Sequence, residues 1–319
     1  MTELKHDIAA VDSVGTGANP LAGSMNQRLL MPISIAIPLA NSAAFFIAPL
    51  GFLVILGFWV VVDYQVVPTF SLENYADIAT HMFAKSNYAL SILQSLWVAL
   101  TTAFVATSLC YIMVMALVFV VPEHRQRLAL VLAIAPFWSS YILRVFSWQA
   151  LLAKKGVINS GFIWLGLDNL QIDLIYTQIA TRIGLIHYLA PVLIIVLYVT
   201  VANIDRNLIH AARDLGATRW QVFVRVILPM SRTGIIVAAS FAAIISFGDV
   251  LSGAVLGGGA GTSILGSVPL FSNMIMVEYA SSTNLPRTAC LALILVLIML
   301  VMLVVGVILA ERGQKDMAS

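Results

Sequence analysis

The chain has 319 residues, of which 61% are hydrophobic and only 10% charged, against about 45–50% and about 25% in soluble domains. One charge in ten residues cannot cover a soluble surface, so the composition excludes a soluble fold and specifies an integral membrane protein. The net charge of +2 also excludes a nucleic-acid binder, whose electrostatic footprint is a strongly basic domain.

The first 30 residues are polar and contain Gly, Ser and Asn. They lack the apolar core of a signal peptide, and residues 1–40 are expected to form a flexible N-terminal tail. A spanning helix needs about 20 mostly apolar residues. Six segments satisfy this, at about 43–62, 92–121, 128–152, 183–204, 234–256 and 289–310. The expected fold is therefore all-α and polytopic, with a transmembrane domain over 41–311 and a short tail at 312–319. Six spans put both termini on one side. Eleven Lys and Arg fall on the terminus side and five on the other, with Arg144 inside a span. Positive loops stay in the cytoplasm, which makes both termini cytoplasmic and 205–232 a cytoplasmic loop.

Enzyme chemistry is not visible. The sequence has no Gly-Lys dipeptide and hence no phosphate-binding P-loop, no HExxH and no G-x-S-x-G. The run Gly257-Gly258-Gly259-Ala260-Gly261 reads as a turn. Cys110 and Cys290 sit in apolar stretches without metal-ligand or disulfide spacing, and no metal or cofactor is expected in this chain.

The 205–232 loop is the most informative stretch. Residues 207–215 are rich in helix formers, and Gly216 can end that helix with a turn. Thr218 is a candidate cap for a second helix, which places Val222, Phe223, Val226 and Ile227 on one face. Pro229 is expected to stop it before the next span. The result is a helix–turn–helix elbow, in which the small Ala211-Ala212 pair leaves room for another body. An amphipathic connector lying on the membrane is the alternative.

Ala211-Ala212, three residues, Gly216, nine residues, then Val226, Ile227, Leu228 and Pro229 resemble the cytoplasmic signature of permease subunits of bacterial ABC importers. His210 stands where that signature usually has Glu, and Val226 where it usually has Ile. The resemblance implies the type I transmembrane fold in the bacterial inner membrane. It also implies that His210, Ala211, Ala212, Asp214, Leu215, Gly216, Ala217, Phe223 and Pro229 form the elbow that docks on a separate ATPase. The implied partners are a second permease, two copies of an ATP-binding subunit that holds ATP and Mg, and a periplasmic solute-binding protein. Lipid surrounds the assembly, and no nucleic acid takes part.

Pro136-Phe137-Trp138 followed by Arg144, with Gly156 and Asn159 after the helix and Phe247-Gly248-Asp249 further on, is similar to the spermidine/putrescine permease group, B type. That group also includes importers of opines and other small amines.

Arg144 and Asp249 are charges inside expected spans, which are functional-site candidates by default. Arg144 either faces the solute path or pairs with a neighbouring carboxylate. Asp249 either attracts a cationic amine or pairs with Arg144, and the two are expected to interact in at least one state. Trp138, Tyr141 and Trp148 can share one face of a continuous third helix. Trp138 and Tyr141 could then offer rings to an ammonium group, while Trp148 reads as packing. A stand-alone carrier or channel subunit is the rival class, although no repeat between the two halves supports it.

Overall fold

The computed structural model describes residues 36, 38–82, 88–167, 173–258, 270–282 and 284–318. Most of the 1–40 tail lies outside them, as do Gly259, Ala260 and Gly261. The chain divides into two compact units, Met1–Ile55 and Leu56–Ser319.

Helix α1 (Pro38–Gly57) is long and apolar enough to span a membrane and contains one π turn at Ala43–Ile47. It begins and ends about five residues before the expected first span. Val60–Val62, read as part of that span, instead form strand β1 of a hairpin with β2 (Gln65–Val67). The two turn residues, Asp63 and Tyr64, both have positive φ, at 49° and 62°. That is the geometry a two-residue hairpin requires.

The core of the second unit is made by α3 (Tyr88–Phe119), α7 (Gln178–Ala202) and α9 (Arg219–Gly248). Ala103, Ala106, Cys110 and Val114 of α3 meet Leu193, Leu197 and Val201 of α7 and Ala238 and Ala242 of α9. Small residues let helix backbones approach closely where lipid gives no hydrophobic drive to associate. A buried hydrogen bond between the Tyr111 hydroxyl and Ser231 Oγ, 2.7 Å, fastens α3 to α9. Helix α12 (Leu285–Ala318) packs along α9. There a Cβ on Gly306 would stand 2.6 Å from Ser240 Oγ and 2.7 Å from its Cβ, so only glycine permits this crossing.

The third expected span is not one helix. Helix α4 (Glu123–Ile134) passes into a 3-10 turn, Ala135–Trp138, and α5 (Tyr141–Leu152) starts after Ser139 and Ser140, both extended. The two pieces meet at 87°. Pro136 explains the break, because it has no N–H to give the carbonyl four residues back. Counting this bent pair as one span, the described residues carry six spans.

Short helices lie between the expected spans: α2 (Glu73–His81), α6 (Val157–Trp164) and α11 (Phe271–Ser282). The fifth span breaks as well. Helix α9 ends at Gly248, and a short α10 (Leu251–Val255) follows.

Candidate functional site

The elbow is built as the sequence suggests. Asp205 caps helix α8 (Arg206–Asp214) by accepting from the Asn207 N–H at 2.9 Å. Past Asp214 the chain turns sharply: the Gly216 N–H donates to the Arg213 carbonyl at 2.8 Å and the Ala217 N–H to the Ala212 carbonyl at 3.0 Å. This paired closure is the Schellman ending of a helix, which needs a left-handed residue. Gly216 supplies it with φ +85°, and nothing lies within 4 Å of where its Cβ would be. Glycine is thus favoured there by conformation and not by crowding. Thr218 then forms a full capping box. Its hydroxyl accepts from the Gln221 N–H at 3.3 Å, and Gln221 Oε1 accepts from the Thr218 N–H at 2.8 Å.

The second arm does not stop at Pro229. It runs unbroken from Arg219 to Gly248 as α9, with a π turn at Phe223–Ile227 in which the Leu228 N–H reaches back to the Phe223 carbonyl. The wider turn makes room for the proline ring, which would otherwise clash with the carbonyl four residues back. The arm is therefore rigidly continuous with a span. Val222 and Ile227 are buried in the core and Phe223 and Val226 pack on it, which is the face read from the sequence.

His210, Ala211, Asp214, Leu215 and Gly216 are exposed, and Ala212 and Ala217 are half-buried. Leu215 is 90% exposed and Trp220 70%, so the elbow ends in uncovered apolar side chains. Two features had no signal in the sequence. Arg206 forms an ion pair with Glu123 at 2.8 Å, tying α8 to α4. Behind the elbow lies a pocket of about 450 Å³, lined by Val118, Phe119, Glu123, His210, Arg213 and Phe223 among others.

The second cluster lies where the two broken helices meet. Tyr141 opens α5, and its hydroxyl donates to Asp249 Oδ1 at 2.5 Å. The Ser252 hydroxyl lies 2.6 Å from the same tyrosine oxygen. With the tyrosine proton given to the carboxylate, Ser252 is the donor in that second bond. Asp249 Oδ2 accepts from the Ser252 N–H at 2.8 Å. The expectation that Asp249 sits within a span helix is therefore corrected. Its backbone is extended at the end of α9, and its side chain caps α10. A buried carboxylate that accepts N–H and O–H bonds is satisfied without a cation. Helix α11 closes the break from the other side. Ser272 Oγ donates to the Asp249 carbonyl at 2.6 Å and Asn273 Nδ2 to the Val250 carbonyl at 2.7 Å.

Arg144 and Asp249 do not form an ion pair in this conformation. They are linked through rings: the Arg144 guanidinium lies 5.5 Å over Tyr188, and Tyr188 stacks on Tyr141 at 4.1 Å. Trp138 is not on the face of Tyr141. It lies across the 87° bend on the 3-10 turn, 74% exposed, because the helix that would have aligned them ends before Pro136. Trp148 donates from Nε1 to His187 Nδ1 at 2.9 Å, in keeping with a packing role. Tyr188, to which the sequence assigns no role in a site, is the missed member of the cluster.

A family profile described as "Binding-protein-dependent transport system inner membrane component" matches residues 111–317, which include both the elbow and the Tyr141–Asp249 cluster. The chain belongs to this family. Over 220 residues it is 31% identical to the spermidine/putrescine transport system permease protein PotB of Haemophilus influenzae, covering 68% of this chain and 71% of the relative. The PotB of Escherichia coli K12 is 28% identical over 74% of this chain and 81% of its own length. Among solved structures, a bacterial alginate ABC transporter crystallised with an alginate-loaded periplasmic protein superposes with a TM-score of 0.72. It covers 91% of this chain and 96% of that one at 15% identity, a likeness of fold alone. The protein is thus a multi-pass inner-membrane permease component with the type I importer fold.

Proposed function

We propose that this chain is one permease subunit of an ATP-driven importer that carries a small cationic amine of the polyamine class from periplasm to cytoplasm. The elbow carries this reading. It has a Schellman turn at Gly216, a capping box at Thr218, an arm continuous with a span, and exposed Leu215 and Trp220 awaiting a partner. Such an elbow suits a separate ATPase, which binds ATP and Mg and acts in two copies. The excess of Lys and Arg on the terminus side supports cytoplasmic termini and hence a cytoplasmic elbow. A second permease completes the pathway, and a periplasmic solute-binding protein delivers the solute.

The amine class rests on the names of the relatives, with Asp249, Tyr141 and Tyr188 as the groups able to receive an ammonium. In this conformation Asp249 is held by Tyr141 and Ser252. A solute cation competes with neutral donors for that carboxylate, which favours weak binding and release. The test is uptake of radiolabelled spermidine and putrescine by proteoliposomes holding the complete complex. Saturable, ATP-dependent uptake supports the reading; uptake of neither amine alongside uptake of another solute class overturns the amine assignment.

A further inference from the structure

The pocket of about 450 Å³ behind the elbow has two unlike halves. One is apolar, made by Val118 and Phe119 in the last turn of α3 and by Phe223 and Ile227 in the π turn of α9. The other is basic. Arg213 comes from the last turn of α8 and Arg219 from the first turn of α9, so each arm of the elbow contributes one guanidinium.

The polar groups around this space do not cancel. Arg206 and Glu123 also line it and pair with each other at 2.8 Å. Gln126 donates to the Val118 and Val121 carbonyls, each at 3.0 Å, which closes the end of α3. His210 lines the pocket too and adds no negative charge. Arg213 and Arg219 are exposed, and their side chains have no ion-pair or hydrogen-bond partner among the described residues. A guanidinium stays charged at any pH a cell reaches, and its fork of N–H groups matches two phosphate oxygens at once. With the internal pairs made, the pocket offers two cations beside an apolar wall. The ligand that fits both is an anion carrying an apolar portion.

A free inorganic anion would cover the arginines and leave the apolar wall in water. The uncovered tip of the elbow does not line the pocket: Leu215 and Trp220 lie outside it. The surface offered to the ATPase and this pocket are therefore different faces. The apolar wall belongs to the end of one span and the start of another, which is the level of the lipid headgroups. Basic pockets between spanning helices on the cytoplasmic side suit anionic headgroups.

We propose that this pocket binds an anionic phospholipid, its phosphate on Arg213 and Arg219 and the upper part of its acyl chains against Phe119 and Phe223. The inference rests on the proposed coupling role of the elbow and adds a lipid dependence to it. Because the two arginines sit on different arms, the bound phosphate ties the arms across the Gly216 turn. The anionic lipid content of the membrane then sets how firmly the elbow transmits motion.

The experiment uses the full complex in nanodiscs of phosphatidylcholine, alone or with phosphatidylglycerol. Phosphatidylglycerol retained after purification is measured by native mass spectrometry, beside ATP hydrolysis stimulated by the solute-loaded binding protein. Wild type is expected to retain the anionic lipid, and its stimulated hydrolysis to rise several-fold with phosphatidylglycerol. The double variant Arg213→Gln with Arg219→Gln should lose retention several-fold and show no such rise. Arg213→Lys with Arg219→Lys keeps the charges and should retain most of both. Equal retention by wild type and the Gln double variant overturns the proposal. Displacement of the lipid by millimolar inorganic phosphate would assign the pocket to a free anion and also overturns it. So does loss of the ATPase subunit from the Gln double variant in phosphatidylcholine alone, which would place the ATPase in the pocket. Failure of the coupling reading shows separately, as a wild-type complex that retains the lipid but is not stimulated by the solute-loaded binding protein.

Discussion

The Tyr141 hydroxyl reaches the Asp249 carboxylate at 2.5 Å, and this bond joins the two broken helices beside their breaks. Tyr141→Phe removes the donor, so one oxygen of a buried carboxylate loses its partner at a cost of about 1–3 kcal/mol. Uptake by the reconstituted complex is expected to fall roughly tenfold, since about 1.4 kcal/mol is a factor of ten. Ser252→Ala, which leaves the tyrosine–carboxylate bond intact, should cost less. Wild-type uptake by Tyr141→Phe would show that the bond is not part of the pathway.

Gly216 has φ +85° with open space around its Cβ position. A substitution there pays for backbone conformation alone, about 1–2 kcal/mol for an ordinary residue. Gly216→Asn should be tolerated because Asn visits this region more readily. Gly216→Val should leave the spans inserted and lose stimulation of the ATPase. Equal coupling by the Asn and Val variants, measured as ATP hydrolysis, would contradict the elbow geometry.

Thr218→Ala removes one half of the capping box at the start of the second arm, a loss of about 1 kcal/mol. Hydrogen exchange should rise at the first turn of α9 and remain unchanged in its buried half around Ala238 and Ala242. Unaltered exchange at Gln221 would show that the cap does not hold the arm.

Gly306→Leu forces α12 away from Ser240. The expected result is a lower melting temperature of the purified complex, with Ser240→Gly partly rescuing Gly306→Ala. No rescue, or no loss in Gly306→Leu, would deny the close crossing.

Both native cysteines, Cys110 and Cys290, are buried, so new cysteines can be labelled against a quiet background. A cysteine at Leu215 is expected to react with impermeant thiol reagents in inverted vesicles and not in intact cells. The opposite pattern would reverse the orientation.

Much of this was legible because the signals were local. The capping role of Thr218 and the turn at Gly216 depend on neighbours within a few residues, and the long spans α3, α7 and α12 on long apolar runs. The breaks were harder to see. Hydropathy continues smoothly through Pro136 and through Gly248-Asp249, and the membrane would accept either a straight helix or a bent one. The bends follow from backbone bonding: Pro136 withholds a donor, and Asp249 caps a new helix from its own side chain. Pro229 misled in the opposite sense, because a π turn absorbed it. Tyr188 and the Arg206–Glu123 pair depend on tertiary contacts between distant segments, for which a single sequence carries no signal.

On the proposed function, this chain transmits ATPase action through the 205–232 elbow. The most direct test is solute-dependent ATP hydrolysis by the reconstituted complex, compared between wild type and Gly216→Val at equal amounts of inserted permease. Stimulation by the solute-loaded binding protein in wild type, and its loss in Gly216→Val, is the expected result. Full stimulation in Gly216→Val would contradict coupling through the elbow.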